Sequence, residues 1–361
     1  MKARDGPERE AAVSTTIIGA GYAGVMAANR LAGRGEPVTL VTPHPWFVER
    51  IRLHALAAGT RPDVRRELSS MLHPAVEVVA GTVTRIDDDS VRLASGESLG
   101  YETLIYAVGS GAGSSAAFRV SSEADALRLR EALRAQPEAT VTVVGAGLTG
   151  VELAGVLTEA GRRVRLVAES PPARRAAAAH LDELRRRAVE VEFRRYDFDE
   201  PPEGITVDAT GFGIPSLAAD SGLPVDDRGR LLVDATLTVP GHPRILGAGD
   251  AVRMEGARHL RPACATALPM GAHAADVIDA RRRGVAPEPF DLGYLLQCVD
   301  LGEGRGHVQF MRPDDSERRP ALTGRTGDLV KEAVCRMTLR WLTQERERPG
   351  RFSWASGPTI G

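Results

Sequence analysis

Apolar residues fall in short unbroken runs separated by amphipathic stretches, the pattern of buried parallel strands alternating with helices. Residues 15–18 read as a buried strand, 22–32 as a helix ended by Gly33, and 38–41 as a second buried strand. Shorter strands are expected at 76–79, 82–86 and 91–93. Another buried strand, 104–108, runs into the Gly/Ser-rich string GSGAGSS, which reads as a hinge. The opening pattern then returns as strand 141–144, helix 148–160 and strand 164–167. Strands follow at 191–194, 205–209 and 231–233, then the stretch 244–246 runs into GAGDAV, with a helix at 265–283 and a last helix at 328–346.

The return is in register. Gly19, Gly21 and Gly24 recur as Gly145, Gly147 and Gly150, and Val38 and Val41 as Val164 and Val167, each 126 positions later. One fixed offset over more than twenty residues indicates two copies of a single β-α-β unit. Both GAGYAG and GAGLTG fit G-x-G-x-x-G, each between a buried strand and a helix, which is the context that gives the motif meaning. The first glycine allows the tight turn, the second leaves no side chain between backbone and pyrophosphate, and the third lets helix pack on strand. The helix N-terminus then offers free N–H groups to the phosphates.

An acid normally follows the second strand of such a unit and bonds the ribose. Here the first unit has Thr42, whose hydroxyl could take that place, and the second has Ala168 followed by Glu169. Glu169 would repel a 2′-phosphate, whereas the nearby Arg174 and Arg175 could hold one; the balance favours NADH over NADPH, with a solvated surface role as the alternative.

Composition narrows the class. The chain has 361 residues, which suggests two or three domains. A net charge of −2 and 4% aromatic residues give no reason to expect nucleic acid as a partner. Cys264, Cys298 and Cys335 lie far apart in sequence, so neither a disulfide framework nor a C-x-x-C redox pair is expected, and the histidines show no metal spacing. A cytoplasmic protein follows, with no secretory h-region and no stretch that would span a membrane. The arginine clusters 162–163, 185–187 and 194–195 are interleaved with acids and read as a solvated face.

The order GAGYAG, YAVGS (Tyr106–Ser110), GAGLTG, DATGF (Asp208–Phe212) and GAGD (Gly247–Asp250) resembles the two-dinucleotide-binding-domain flavoproteins of the pyridine nucleotide-disulfide oxidoreductase fold, over residues 14–350. Without a redox cysteine pair, it resembles the type II NADH dehydrogenase-like branch. The resemblance implies an α/β chain of two Rossmann-like domains and a small C-terminal α/β region: a disordered lead over 1–13, an FAD domain at 14–110 and 235–290, an NAD(P)H domain at 111–234, and 291–361 as the C-terminal region. It implies FAD on Gly19, Gly21, Gly24, Thr42, Gly109, Gly249 and Asp250, and NAD(P)H on Gly145, Gly147, Gly150 and Glu169. Val83 resembles the residue whose backbone bonds adenine, or serves its strand alone. Ala267 and Met270 lie on a helix resembling the one that faces the flavin ring; the family often has Gln at the place of Met270, which could be packing instead. Glu152 resembles a glutamate near nicotinamide and flavin, with stabilisation of a helix first turn as the plain alternative. Lys331 resembles a lysine near the flavin, or is a solvated helix lysine. Arg50 and His54 lie in the segment that runs past the flavin and carry no assigned chemistry.

The expected reaction is hydride transfer from NAD(P)H to flavin, then electron transfer to a small-molecule acceptor, quinone being the family's usual one. A soluble flavoenzyme tailoring a small aromatic metabolite and a slow redox-sensing flavoprotein are the other readings. Val330, Val334, Met337 and Trp341 form an apolar seam on the last helix, expected to dock on the protein, so any membrane association would be peripheral. The sequence leaves the oligomeric state open.

Overall fold

Thr15–Ile18 is buried along its whole length and sits mid-sheet, with Val38–Thr42 and Val76–Ala80 on one side and Thr103–Tyr106 and His242–Gly247 on the other, all parallel. The short strand Thr238–Val239 closes the far edge antiparallel. A second sheet repeats the arrangement in the order Glu190–Phe193, Val164–Ala168, Val141–Val144, Ile205–Asp208, again parallel. The repeat extends to the pairing: Thr15 lies opposite Val38 and Val141 opposite Val164, the same shift that relates the glycine loops. The computed structural model that shows this describes residues 14–111 and 117–358. The expected lead over 1–13 and residues 112–116, which take in the second half of the Gly/Ser hinge, lie outside the described residues.

Two cores result, one per sheet. The expected break at 234 does not coincide with a change of core: Leu217, Ala218, Leu223, Leu231 and Val233 all pack in the first, because Leu231–Val233 pairs with Val252–Met254 beside that sheet. Conversely, the short helix Leu53–Ala58 sends Leu53, Leu56 and Ala57 into the second core. The opening helix Tyr22–Ala32 crosses the helix Cys264–Arg282 so closely that a Cβ on Gly271 would fall on the Ala23 backbone.

The C-terminal region is a three-stranded antiparallel sheet, Leu296–Asp300, Gly306–Met311 and Glu317–Thr323, followed by the helix Gly324–Glu347. That helix docks, but on a different stripe from the expected one. Its buried residues are Gly327, Cys335, Thr338, Leu342 and Glu345, while Met337 is 38% exposed and Val330, Val334 and Trp341 are only half-buried. The cause is polar: Glu345 is fully buried and pairs with Arg30 at 2.6 Å, and Arg30 also holds Asp276 at 2.7 Å. A charge with an internal partner can face inward, which apolar periodicity does not register. The arginine clusters also depart from a uniformly solvated face. Arg185, Arg186 and Arg194 pair with neighbouring acids at the surface, but Arg187 is 6% exposed and donates to the carbonyls of Leu301 and Gly155.

Candidate active site

The two glycine loops have one geometry. Gly19 and Gly145 hold φ of +105° and +112°, a region closed to most side chains, and a Cβ on Gly24 or Gly150 would strike the carbonyl of Gly19 or Gly145. Gly21 and Gly147 differ: each begins its helix with an ordinary negative φ, and a Cβ there would meet nothing within 4 Å. The protein therefore does not need glycine at those two positions; a ligand lying against the backbone would. Neither helix has a side-chain cap, and neither has an acid in its first turn, so their first N–H groups are free for an anion. This cradle fits a dinucleotide pyrophosphate.

Between the two units and the C-terminal helix lies a cleft of about 270 Å³. Gly21, Gly109, Gly249, Asp250 and Ala267 line it from the first unit, Glu152 from the second, and Lys331 from the C-terminal helix. The helix Cys264–Arg282 starts at its wall, also without a side-chain cap, so a third positive helix end meets the cleft. Asp250 Oδ2 accepts from Ser110 Oγ at 3.1 Å, and Ser110 Oγ accepts from Arg50 Nη2 at 3.0 Å. Burial pushes the Asp250 carboxyl up, against the pull of Arg50, Ser110 and the Ala263 N–H.

Glu152 stands one turn into the helix Leu148–Glu159, past the free N–H groups, so stabilisation of the first turn does not account for it. Its Oε1 accepts from Lys331 Nζ at 2.7 Å and from the Asp300 N–H at 3.1 Å. The His54 imidazole spans the gap between two carboxylates, 3.7 Å from Glu152 Oε2 through Nδ1 and 3.7 Å from Asp300 Oδ2 through Nε2. Burial works against the charge on Lys331, but Glu152 outweighs it and raises the ammonium above its ordinary range. Burial likewise opposes ionisation of Asp300, yet His54, the Gly302 N–H and Lys331 hold it below the usual carboxylate range. Lys331 is thus an ion-paired group at the cleft and not a solvated helix lysine.

Nine expected residues do not line the cleft: five are the loop glycines Gly19, Gly24, Gly145, Gly147 and Gly150, and the other four are Thr42, Val83, Met270 and Glu169. Thr42 is buried, with its hydroxyl 3.4 Å from the His44 carbonyl. Val83 pairs with Leu93 in a separate antiparallel sheet, as a strand residue does. Met270 is buried in the first core and borders a small cavity on the other side of Gly249 and Asp250. Glu169 is exposed and forms no ion pair among the described residues. Four residues without an assigned role gather at the site instead: Arg50, His54, Ser110 and Asp300. Asp300 ends a strand about 150 residues from Glu152, and nothing in its local sequence signals the meeting. The thiols of Cys264 and Cys298 also line the cleft, distant as they are in sequence.

The fold recurs among known proteins. Residues 13–196 match the family model described as pyridine nucleotide-disulphide oxidoreductase. The type II NADH:quinone oxidoreductase Ndh of Mycobacterium tuberculosis (strain ATCC 25618 / H37Rv) is 28% identical over 351 residues, covering 76% of this chain and 74% of that protein. The NADH dehydrogenase-like protein YutJ of Bacillus subtilis (strain 168) is 30% identical over 157 residues, covering 40% and 44%. Among solved structures, the sulfide:quinone oxidoreductase of Aquifex aeolicus superposes with a TM-score of 0.78 at 18% identity, over 93% of each chain. NDH2 of Plasmodium falciparum in complex with NADH superposes at 0.77 and 14% identity, over 94% of this chain and 99% of that one. The likeness to the two structures carries the fold; the family match and the relatives carry the class. The chain belongs to the pyridine nucleotide-disulphide oxidoreductase family, in its NADH dehydrogenase-like branch, and is an oxidoreductase that binds flavin and a nicotinamide nucleotide.

Proposed function

We propose that this chain is an FAD-dependent NADH oxidoreductase that passes electrons to a quinone. The observation that carries the proposal is the single cleft on which both units and the Glu152–Lys331 pair converge. The loop Gly19–Gly24 and the helix behind it hold the FAD pyrophosphate, with Gly109, Gly249 and Asp250 along the rest of the cofactor. Gly145–Gly150 holds the nicotinamide dinucleotide. FAD, when bound, supplies the two-electron relay. The protein's share is position and field: the free N-terminus of Cys264–Arg282 favours negative charge at that wall. Glu152, fixed by Lys331 and the Asp300 N–H, presents one carboxylate at the place where both ligands meet. Its neighbour His54 links it to Asp300, whose side chain is 27% exposed and open to solvent protons. The quinone comes from one relative, Ndh of Mycobacterium tuberculosis, which is named for that activity. Three unpaired thiols fit a reducing cytoplasm, with contact to a membrane at most peripheral; among the described residues no helix is long and apolar enough to cross one.

The test is anaerobic reduction of the purified yellow protein by NADH and by NADPH, followed by reoxidation with a short-chain quinone, ferricyanide and small aromatic acceptors. Fast bleaching by NADH and fast recovery with quinone are expected. No bleaching by either nucleotide would overturn the proposal, and slow recovery with every acceptor would favour a redox-sensing flavoprotein.

A further inference from the structure

We infer that the C-terminal sheet sets the nucleotide preference of the second unit, by filling with its own carboxylates the groups that would otherwise receive a 2′-phosphate. The inference rests on reading that unit as the nicotinamide nucleotide site. The strand Val164–Ala168 ends where the ribose of a dinucleotide lies, and an acid there bonds the 2′-hydroxyl while a nearby arginine accommodates a 2′-phosphate. This chain has both: exposed Glu169 at the strand end, and Arg174 and Arg175 just beyond. The helix Arg175–Arg186 begins at the same point, and its first N–H groups make a ready anion site.

The structure shows these cationic groups already engaged. Arg174 Nη2 lies 3.0 Å from Oδ2 of Asp315, whose side chain is 7% exposed. Arg175 turns its guanidinium to the carbonyls of Arg318 and Arg319, at 2.6 and 3.0 Å. The N–H groups of Arg175 and Ala176 donate to the two oxygens of one carboxylate, Glu317, at 3.1 and 3.2 Å. Two arginines and a helix N-terminus, the parts of a phosphate site, thus hold Asp315, Glu317 and two carbonyls, all from one turn and strand of the C-terminal sheet. A 2′-phosphate would have to displace two carboxylates while facing Glu169 as a third; a 2′-hydroxyl meets no such conflict. Arg261 also faces Asp315, at 3.4 Å, which helps keep that carboxylate in place.

Binding of redox-inert fragments tests this without turnover. By calorimetry the as-isolated protein should bind ADP-ribose and discriminate against 2′-phospho-ADP-ribose. Asp315→Asn with Glu317→Gln should raise affinity for the phosphorylated fragment about tenfold relative to ADP-ribose, the scale of one charge-assisted contact. Adding Arg174→Ala to the double variant should cancel that gain. Should the double variant melt early, Asp315→Asn alone, which keeps size and hydrogen-bonding shape, must move the ratio in the same direction. An unchanged ratio in a folded variant, or a wild type that binds both fragments alike, overturns the inference. If the wild type binds neither fragment, the nucleotide assignment itself falls and takes the inference with it.

Discussion

The two glycine-loop units share a backbone and part ways at the strand end. In the first, the strand closes on Thr42, buried and turned to its own chain at His44, while Gly21 opens straight onto the cleft. In the second, the strand closes on Ala168 with exposed Glu169 beyond, and the cleft is reached by Leu148, Thr149 and Glu152. The cradle is a backbone property, so duplication copies it. Ligand choice lies in what surrounds it: Arg50, Ser110 and Asp250 beside the first loop, the C-terminal sheet beside the second. On the proposed assignment, Gly21→Val should give folded, colourless protein, because the added side chain has room in the chain and none beside a pyrophosphate. Gly147→Val should stay yellow but no longer bleach with NAD(P)H. Flavin content and anaerobic reduction measure both. Equal loss in the two variants would break the comparison, and the opposite pattern would mean the units are reversed.

A smaller effect belongs to the place where the two units meet. Glu152→Gln keeps the shape but leaves the Lys331 ammonium without its counter-charge. Turnover with NADH should fall about a hundredfold, the scale of a positioned acid–base group, with flavin content unchanged. Wild-type turnover in a yellow variant would return Glu152 to a structural role.

The ease of reading the sequence followed the range of the interaction. The repeat was legible because the glycine loops and their flanking strands are local, within about thirty residues, and each glycine answers to a backbone demand. Glu152 and Lys331 could be named only by resemblance; that they bond each other across 179 positions is a product of the fold. Ser110 and His54 lay in segments that the resemblance pointed to, without a role of their own, and Asp300 had no local signal at all. The last helix shows the same limit: apolar periodicity pointed to Val330, Val334, Met337 and Trp341, whereas the buried stripe includes Glu345, satisfied by Arg30 from the opposite end of the chain.

The seam between the second unit and the C-terminal sheet should also respond to acid. His180, on the helix Arg175–Arg186, packs edge-on against His307 of that sheet with ring centroids 4.6 Å apart, both buried. Burial, with His307 adding to it, pulls His180 down to about 3, and burial lowers His307 as well. The unfolded imidazole takes up its proton near 6.5 and the folded one only near 3, so the stability is present above pH 6.5 and is lost as pH falls toward 3. Melting temperatures should drop over that window. His180→Leu should flatten the slope by up to one proton, about 1.4 kcal/mol per pH unit. An identical acid slope in that variant would place the sensitivity elsewhere.

The smallest expected effect concerns the thiols, and the fold makes it a sharper test than their sequence spacing implied. Cys264 and Cys298 both line the cleft, and Cys335 is buried one turn beyond Lys331. Three thiols near a flavin site could in principle exchange electrons with it, as a disulfide centre would. Their ionisation argues otherwise. Burial pushes Cys264 up to about 12 and Cys298 up to about 11 despite the nearby Lys331 charge, and raises Cys335 too. The nucleophile in thiol–disulfide chemistry is the thiolate, and at neutral pH almost none is present. Reductive titration should therefore consume about two electrons per flavin, the capacity of flavin alone. The triple Cys→Ser variant should keep its rate of reduction by NADH within about twofold, since Ser restores the small polar group without the sulfur. Uptake of about four electrons, or loss of turnover in that variant, would mean the cleft lowers a thiol on loading, and would align the site with the disulfide reductases.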